Sequence, residues 1–204
     1  MTNEKFAECD YLNPKLKKDG NKKKVVFLDR DGTIHIDKVN THRIEDLQYF
    51  DDVFTSVKAL CDMNYYIVIV TNQDGLKKGL YKTEDMHAFN YKIIDDFRAY
   101  GVEIAAVYYS PHIKTENHIS FKPNPGMLLQ AENDIGIDML NSFFIGDQMS
   151  DVIASCKASV HPILVTTGIY SEDFTKSSAY KEILPPTFKK PNAFCILVGV
   201  IFSG

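Results

Sequence analysis

Five short runs of apolar residues recur along the chain, and they limit the fold more than any other feature. The runs are rich in Val, Ile, Phe and Tyr and span residues 25–28, 65–70, 104–109, 142–145 and 162–166. Each is too short and too continuous for a surface helix, in which apolar residues recur every three or four positions. Runs of this kind are typical of strands that are buried on both faces of a sheet.

Segments with helical signals lie between these runs, at residues 51–63, 84–100, 126–135 and 150–159. The second shows the signals most fully, because Thr83 can cap its first turn and Gly101 follows its last turn. Strands that alternate with helices predict a parallel sheet with right-handed crossovers. We therefore predict a doubly wound, Rossmann-like α/β fold with about five core strands and helices on both faces.

The two ends of the chain differ from the segment that carries the strands. Lysines cluster in a polar N-terminal stretch, at positions 15, 17, 18 and 22–24. We predict that residues 1–22 form a flexible, solvated extension, and that residues 23–204 form a single domain. The apolar run at 193–202 is too short to span a bilayer, so we interpret it as a buried strand or helix end.

Composition excludes several classes of protein. The formal net charge of −4 argues against a nucleic-acid partner, because phosphate contacts require a basic face. The four cysteines form no CxxC pair, and no signal peptide opens the chain. We expect a cytoplasmic monomer with reduced thiols and no membrane contact.

Polar clusters follow four of the predicted strands. They comprise residues 29–31, 71–75, 110–112 and 146–148. Ligands of doubly wound sheets bind outside the carboxyl ends of the strands, so these clusters predict one shared site. Asp29 and Asp31 are two positions apart in an extended segment and therefore point the same way. The alternative is a hairpin turn at Asp31-Gly32.

The four clusters supply the groups that phosphoryl transfer needs. Asp29 can act as a nucleophile and Asp31 as the general acid and base. Thr71 and Lys122 can stabilise charge on the phosphoryl oxygens. Asp147, with Asp29 and the backbone carbonyl of Asp31, can hold Mg²⁺. Each element also has a simpler interpretation, as a strand end, a loop dipeptide or a helix cap, and only their ordered combination favours catalysis.

Four stretches carry a family resemblance: residues 27–37, 70–79, 108–112 and 122–131, together with residues 146–151. They resemble the motifs of the haloacid dehalogenase superfamily, in the branch that contains heptose bisphosphate phosphatases and histidinol phosphatases. The resemblance implies the catalytic roles given above, with metal on Asp29, Asp31 and Asp147, phosphate contacts from Asn72, and Asp151 orienting the metal shell or Lys122. Substrate contacts are implied for Asp37, Lys38, Val39, Asn40, Gln73, Asp74, Phe121 and Gln148.

The chain departs from that branch at three places. Ser110 stands at the first position of a zinc loop, and the chain has no cysteine between Cys61 and Cys156. We therefore predict no structural zinc, and a 110–121 loop that is held by packing or left mobile. Phe121 and Gln148 replace basic residues that the branch often carries, which weakens the expectation of a second phosphate in the substrate.

The predicted function is Mg²⁺-dependent hydrolysis of a small phosphomonoester through an aspartyl-phosphate. Only 40 positions separate Asp31 from Thr71 and 51 separate Thr71 from Lys122, so we expect no large cap domain. Heptose 1,7-bisphosphate is the first candidate substrate and histidinol phosphate the second. A polynucleotide 3′-phosphatase and a non-hydrolytic phospho-acceptor module remain as further alternatives.

Overall fold

A computed structural model describes residues 5–16 and 20–169 of the chain. Within these residues, six strands form one sheet: β1 Glu8–Leu12, β2 Val25–Leu28, β3 Tyr66–Asn72, β4 Ile104–Ser110, β5 Phe143–Gly146 and β6 His161–Leu164. The helices are α1 Val53–Asp62, α2 Asp74–Lys77, α3 Thr83–Ala99, α4 Gly126–Ile135 and α5 Met149–Lys157. The five predicted strands and four predicted helices are all present within a few residues of their expected bounds.

The strands lie in the order β1-β4-β3-β2-β5-β6. Strands β2 to β6 are parallel, and β1 runs antiparallel to β4 at the edge. The chain leaves β2 in one direction through β3 and β4, and returns to its other side through β5 and β6. The carboxyl end of β2 therefore lies at the point where the strand order reverses, which is where doubly wound sheets bind ligands.

The sheet has an apolar core on each face because successive side chains of a strand point to opposite sides. Val26 of β2 packs with Phe89 of α3 on one face, and Phe27 packs with Leu128 of α4 and Ala154 of α5 on the other. All of these side chains are fully buried. The prediction of helices on both faces of a doubly wound sheet is confirmed.

Part of the segment 1–22, for which we predicted a flexible extension, is instead a strand of the sheet. Residues 8–12 form β1, which pairs with β4 from Glu8 opposite Tyr109 to Leu12 opposite Ala106. The pattern missed this strand because an edge strand is buried only in part, and β1 carries polar residues at half-exposed positions. Residues 170–204, including the apolar run at 193–202, lie outside the described residues.

No cap domain covers the carboxyl ends of the strands in the described part of the chain. Residues 29–52, between β2 and α1, form loops with one 3₁₀ turn at Ile44–Asp46. Between β3 and β4 the chain forms only α2, α3 and their connections. No helix of the described residues has the length and apolar character that a bilayer crossing requires.

Candidate active site

The predicted site residues meet at the carboxyl ends of β2, β3 and β5. They line a cavity of about 260 Å³ that is open on one side. Most of the residues expected from the sequence line it: Asp29, Asp31, Asp37, Val39, Asn40, Thr71, Asn72, Gln73, Asp74, Phe121, Lys122 and Gln148. Lys78, Tyr81 and Ser150 complete the lining.

Lys122 holds the predicted nucleophile. Its ammonium group lies 2.8 Å from Asp29 Oδ1 and 2.8 Å from Asp151 Oδ1, and the lysine side chain is only 3% exposed. The Asn72 side chain fixes the lysine backbone, because it accepts a hydrogen bond from Lys122 N–H at 3.0 Å and donates one to the Lys122 carbonyl at 3.1 Å. A loop residue is thus held in place by the end of β3.

Burial and charge act in opposite directions on this pair. Burial raises the pKa of Asp29 above its ordinary value, and Lys122 only partly offsets the effect. Burial alone would lower the pKa of Lys122, but the carboxylates of Asp151 and Asp29 outweigh it and raise that pKa. Lys122 therefore remains a cation beside the nucleophile at neutral pH.

Three carboxylates converge beside Lys122. Asp29, Asp147 and Asp151 each offer an oxygen within 4.8 Å of the others, and all three residues are buried. Burial, reinforced by the charges of Asp29 and Asp151, raises the pKa of Asp147. Asp147 Oδ1 is buried without a hydrogen-bond partner. A hard divalent cation fits this group, because carboxylate oxygens are its preferred ligands and a buried anion requires a counter-charge.

Two glycines make room for Asp147. A Cβ atom on Gly168 would lie 1.7 Å from Asp147 Oδ2, and a Cβ on Gly32 would lie 2.6 Å from the same atom. Gly32 also has a φ of +79°, which glycine adopts at little cost. The Thr167 hydroxyl donates a hydrogen bond of 2.5 Å to the Gly32 carbonyl and so fixes the loop after β6 against the site.

Asp31 faces a second set of partners. Arg30 donates from Nε to Oδ2 and from Nη2 to Oδ1, both at 3.0 Å, in a bidentate clamp. Gln73 Nε2 and the Thr71 hydroxyl donate to Oδ2 at 3.1 and 3.3 Å, and His35 Nε2 lies 3.4 Å from Oδ1. The side chain of Asp31 does not join the three-carboxylate group, so only its backbone carbonyl remains a predicted metal ligand.

These partners determine the charge of Asp31. Burial would raise its pKa, but the Arg30 guanidinium and His35 outweigh burial and hold the pKa well below its usual range. Asp31 is therefore a carboxylate in the free protein, whereas burial favours the protonated form of Asp29. The two motif aspartates have distinct environments although they lie two positions apart.

The structure also reveals contacts that the sequence pattern did not indicate. Lys38 does not line the cavity, and its ammonium lies 3.6 Å from Asp46, so the substrate contact expected for this residue stays a prediction. Gln73 donates to Asp31 and accepts a hydrogen bond of 2.7 Å from the Tyr81 hydroxyl. No sequence motif indicates Tyr81, because this residue reaches the site from the connection between α2 and α3.

Side-chain contacts hold the 110–121 loop. The rings of His112 and His118 stack with centroids 3.6 Å apart. His112 Nδ1 lies 3.1 Å from Glu116 Oε2, and Ser120 Oγ lies 2.8 Å from both His118 Nδ1 and Ser110 Oγ. These contacts agree with the expectation of a loop held by packing. They give each histidine Nδ1 and each serine hydroxyl of the loop a hydrogen-bonding partner within the loop.

Comparison with known proteins identifies the family. A family model described as polynucleotide kinase 3 phosphatase matches residues 24–194. The D-glycero-alpha-D-manno-heptose-1,7-bisphosphate 7-phosphatase of Campylobacter jejuni is 36% identical over 165 residues, which are 80% of this chain and 95% of that protein. The chain belongs to the haloacid dehalogenase superfamily of phosphatases.

Further relatives agree with this assignment of the phosphatase. The D-glycero-beta-D-manno-heptose-1,7-bisphosphate 7-phosphatase of Photorhabdus laumondii is 38% identical over 151 residues, 70% of this chain and 80% of that protein. Among solved structures, D,D-heptose 1.7-bisphosphate phosphatase from B. bronchiseptica, complexed with magnesium and phosphate, aligns with a TM-score of 0.75. That alignment covers 87% of this phosphatase and 99% of the other chain at 24% identity, and it confirms the fold.

Proposed function

We propose that this phosphatase removes the 7-phosphate of a D-glycero-D-manno-heptose 1,7-bisphosphate through a phosphorylated Asp29. The observation that carries the chemistry is the cavity itself, in which Asp29 contacts the buried Lys122 at 2.8 Å and Asp31 is clamped nearby. The substrate is supported by relatives of 32–38% identity that carry heptose-bisphosphate phosphatase names.

In the first step, the ionised form of Asp29, which the charge of Lys122 favours, attacks phosphorus, and the bond between phosphorus and the sugar oxygen breaks. A proton on Asp31 passes to the departing alkoxide, which leaves as the sugar alcohol. Because Arg30 and His35 keep Asp31 ionised in the free protein, we propose that Asp31 takes up this proton from solvent when the substrate binds, since the negative charge of the bound phosphate raises the pKa of Asp31. In the second step, Asp31 takes a proton from water, and the resulting hydroxide displaces inorganic phosphate from Asp29.

Lys122 and Thr71 stabilise the phosphoryl oxygens during both steps. The ammonium of Lys122 is fixed by Asp151 and by the Asn72 contacts to its backbone, so it need not reorganise during reaction. Asp151 therefore orients Lys122, which is one of the two roles that the family resemblance implies for this aspartate.

We propose Mg²⁺ as the cofactor, held by the carboxylates of Asp29 and Asp147 and by the backbone carbonyl of Asp31. The buried, unpartnered Asp147 Oδ1 supports this assignment. The cation would neutralise charge between the carboxylates and the phosphate dianion, which otherwise repel each other.

Several polar residues of the cavity lining suit a polyhydroxylated substrate. Asp37, Asn40 and Gln148 offer carboxylate and amide groups that can bind sugar hydroxyls. Lys78, which also lines the cavity, is paired with Asp74 at 2.5 Å. A polynucleotide 3′-phosphate is the second candidate because of the family-model match, but the net charge of −4 opposes strong binding of a duplex.

The test compares Asp29→Asn with Asp62→Asn, an exposed aspartate of α1 that serves as the control. We expect Asp29→Asn to lower phosphate release from the heptose bisphosphate by at least about 10³-fold, and the control to match the parent. A phosphorylated Asp29 should be detectable by mass spectrometry after acid quenching of the parent with substrate. Parental activity in Asp29→Asn would refute the mechanism.

A substrate panel tests the second half of the proposal. It contains the heptose bisphosphate, histidinol phosphate and a nicked duplex with a 3′-phosphate, each assayed with Mg²⁺ for kcat/KM. Preference for histidinol phosphate or for the duplex would contradict the proposed substrate and leave the role of Asp29 intact.

A further inference from the structure

The edge strand β1 carries one buried carboxylate, that of Asp10, which points towards the site. The pairing of β1 with β4 shifts register between Cys9 and Tyr11, so Asp10 is the extra residue of a β-bulge. Its side chain is only 1% exposed, although the strand lies at the edge of the sheet. Bulges redirect a side chain, and here the carboxylate turns towards helix α3.

Asp10 reaches the acid–base residue through two buried side chains. Asn90 of α3 donates from Nδ2 to Asp10 Oδ2 at 2.7 Å. Asn90 Oδ1 accepts a hydrogen bond of 2.9 Å from Arg30 Nη1, and Arg30 clamps Asp31. His87 Nδ1 also contacts Asp10.

The chemistry of the amide gives this chain of contacts a direction. An asparagine side chain has one donor end and one acceptor end, whereas an ionised carboxylate only accepts. Asp10 therefore holds the donor end of Asn90, and the acceptor end must face Arg30. A flipped amide would place an NH₂ group against a guanidinium, which has no acceptor.

Arg30 is fixed on several sides. In addition to its contacts with Asp31 and Asn90, Arg30 donates from Nη2 to the Thr41 carbonyl at 3.0 Å. Its guanidinium carbon lies 4.8 Å from the centre of the Phe89 ring. The arginine is 1% exposed, so a lost partner is not replaced readily by water. A change in the orientation of the Asn90 amide would thus shift the Arg30 guanidinium, which orients the Asp31 carboxylate.

We propose that Asp10 is a positioning residue for proton transfer by Asp31, acting through Asn90 and Arg30. The inference rests on the proposed function, because it assumes that Asp31 protonates the leaving group. The pairing of β1 with β4 is made by backbone groups and does not itself require a carboxylate at position 10. The role of Asp10 is therefore separable from that of the strand.

The test uses Asp10→Asn, which keeps the shape of the side chain, with Glu8→Gln in the same strand as the control. Glu8 is exposed and pairs with Lys5. Two esters are compared by kcat/KM, which reports the steps up to release of the alcohol. An alkyl leaving group needs a proton, whereas nitrophenolate leaves without one, so only the alkyl ester depends on a well-placed acid.

We expect Asp10→Asn to lower kcat/KM about tenfold for the heptose bisphosphate and less than about threefold for p-nitrophenyl phosphate. Glu8→Gln should leave both values at the parental level. If the parent does not cleave the heptose ester, the proposed substrate fails, and glycerol 2-phosphate serves as the alkyl ester. If Asp29→Asn is fully active, the mechanism fails.

A reciprocal exchange separates positioning from folding. In the double variant Asp10→Asn/Asn90→Asp, the new carboxylate at position 90 still accepts from Arg30 and now also accepts from the new amide at position 10. Both contacts therefore form, with donor and acceptor exchanged only between positions 10 and 90. We expect this variant to recover the parental ratio of the two kcat/KM values. Equal losses on both esters in Asp10→Asn, or a folded double variant that keeps the altered ratio, would overturn the proposal.

Discussion

Replacement of Lys122 by methionine tests the electrostatic basis of the site. The substitution keeps the apolar stem of the side chain and removes a cation that contacts Asp29 and Asp151, both at 2.8 Å. At an effective dielectric constant of about 20, each contact is worth about 6 kcal/mol when both groups are ionised and before desolvation is considered. Desolvation offsets much of this, and loss of one partner of a buried pair typically costs about 3–5 kcal/mol.

We therefore expect Lys122→Met to lower the free energy of unfolding by about 3–5 kcal/mol at pH 7 in EDTA. Lys58→Met is the matched control, because Lys58 pairs with Asp62 on the exposed face of α1 and should contribute less than about 1 kcal/mol. Urea denaturation followed by circular dichroism measures both. The same variant should lose about 10²–10³-fold in kcat, since it lacks the donor to the phosphoryl oxygens.

The comparison of the two lysine variants decides whether the reasoning holds. If Lys122→Met destabilises the protein no more than Lys58→Met, Lys122 does not offset the charge of the buried Asp29 and Asp151 carboxylates, and the electrostatic role given to Lys122 is wrong. Parental kcat in Lys122→Met would refute its role in charge stabilisation independently of stability.

Three further outcomes are expected. Gly168→Ala should raise the Kd for Mg²⁺ at least about tenfold, because the added Cβ would displace the Asp147 carboxylate, and the rise in Tm that Mg²⁺ produces should shrink accordingly. Calorimetry measures both quantities, and an unchanged Kd would contradict the assignment of Asp147 as a metal ligand. Asp74→Asn should free Lys78 and lower KM for the bisphosphate about threefold, with KM for p-nitrophenyl phosphate unchanged. In EDTA, the urea concentration at the unfolding midpoint should fall as the pH rises above about 4, because the folded state keeps protons on Asp29 and Asp147 that the unfolded state releases. A midpoint that stays constant between about pH 5 and 8 would contradict the raised pKa values of these two aspartates.

The sequence predicted the elements whose signals are local. Val25 to Leu28 form a continuous apolar run, so β2 could be recognised without knowledge of its neighbours. The aspartates after it could be assigned to a shared site because parallel strands end at the same edge of a sheet. Strand β1 has no such run, and only its pairing with β4 makes it a strand.

The residues that support Asp31 indirectly, through Gln73 and Arg30, could not be predicted, for a related reason. Tyr81 and Asn90 lie 50 and 59 positions further along the chain, and each resembles an ordinary polar residue of a turn or helix in the sequence. The role of Asn90 follows from its place on α3, which brings it within 2.9 Å of Arg30, and the role of Tyr81 follows from the path of the connection between α2 and α3. Periodicity predicts which face of a helix is buried, but it does not show which atom a buried amide meets.

Strand β1 also protects the most apolar edge of the sheet. All seven residues of β4 are buried, and β1 occupies the backbone groups on its outer side. A shortened chain that began at residue 23 would retain every catalytic motif and present that edge bare to other molecules. Bare, apolar edges template intermolecular pairing, so the truncated protein should self-associate, and light scattering would detect it. We therefore expect residues 8–12 to contribute to the solubility of this enzyme, in addition to the positioning role proposed for Asp10.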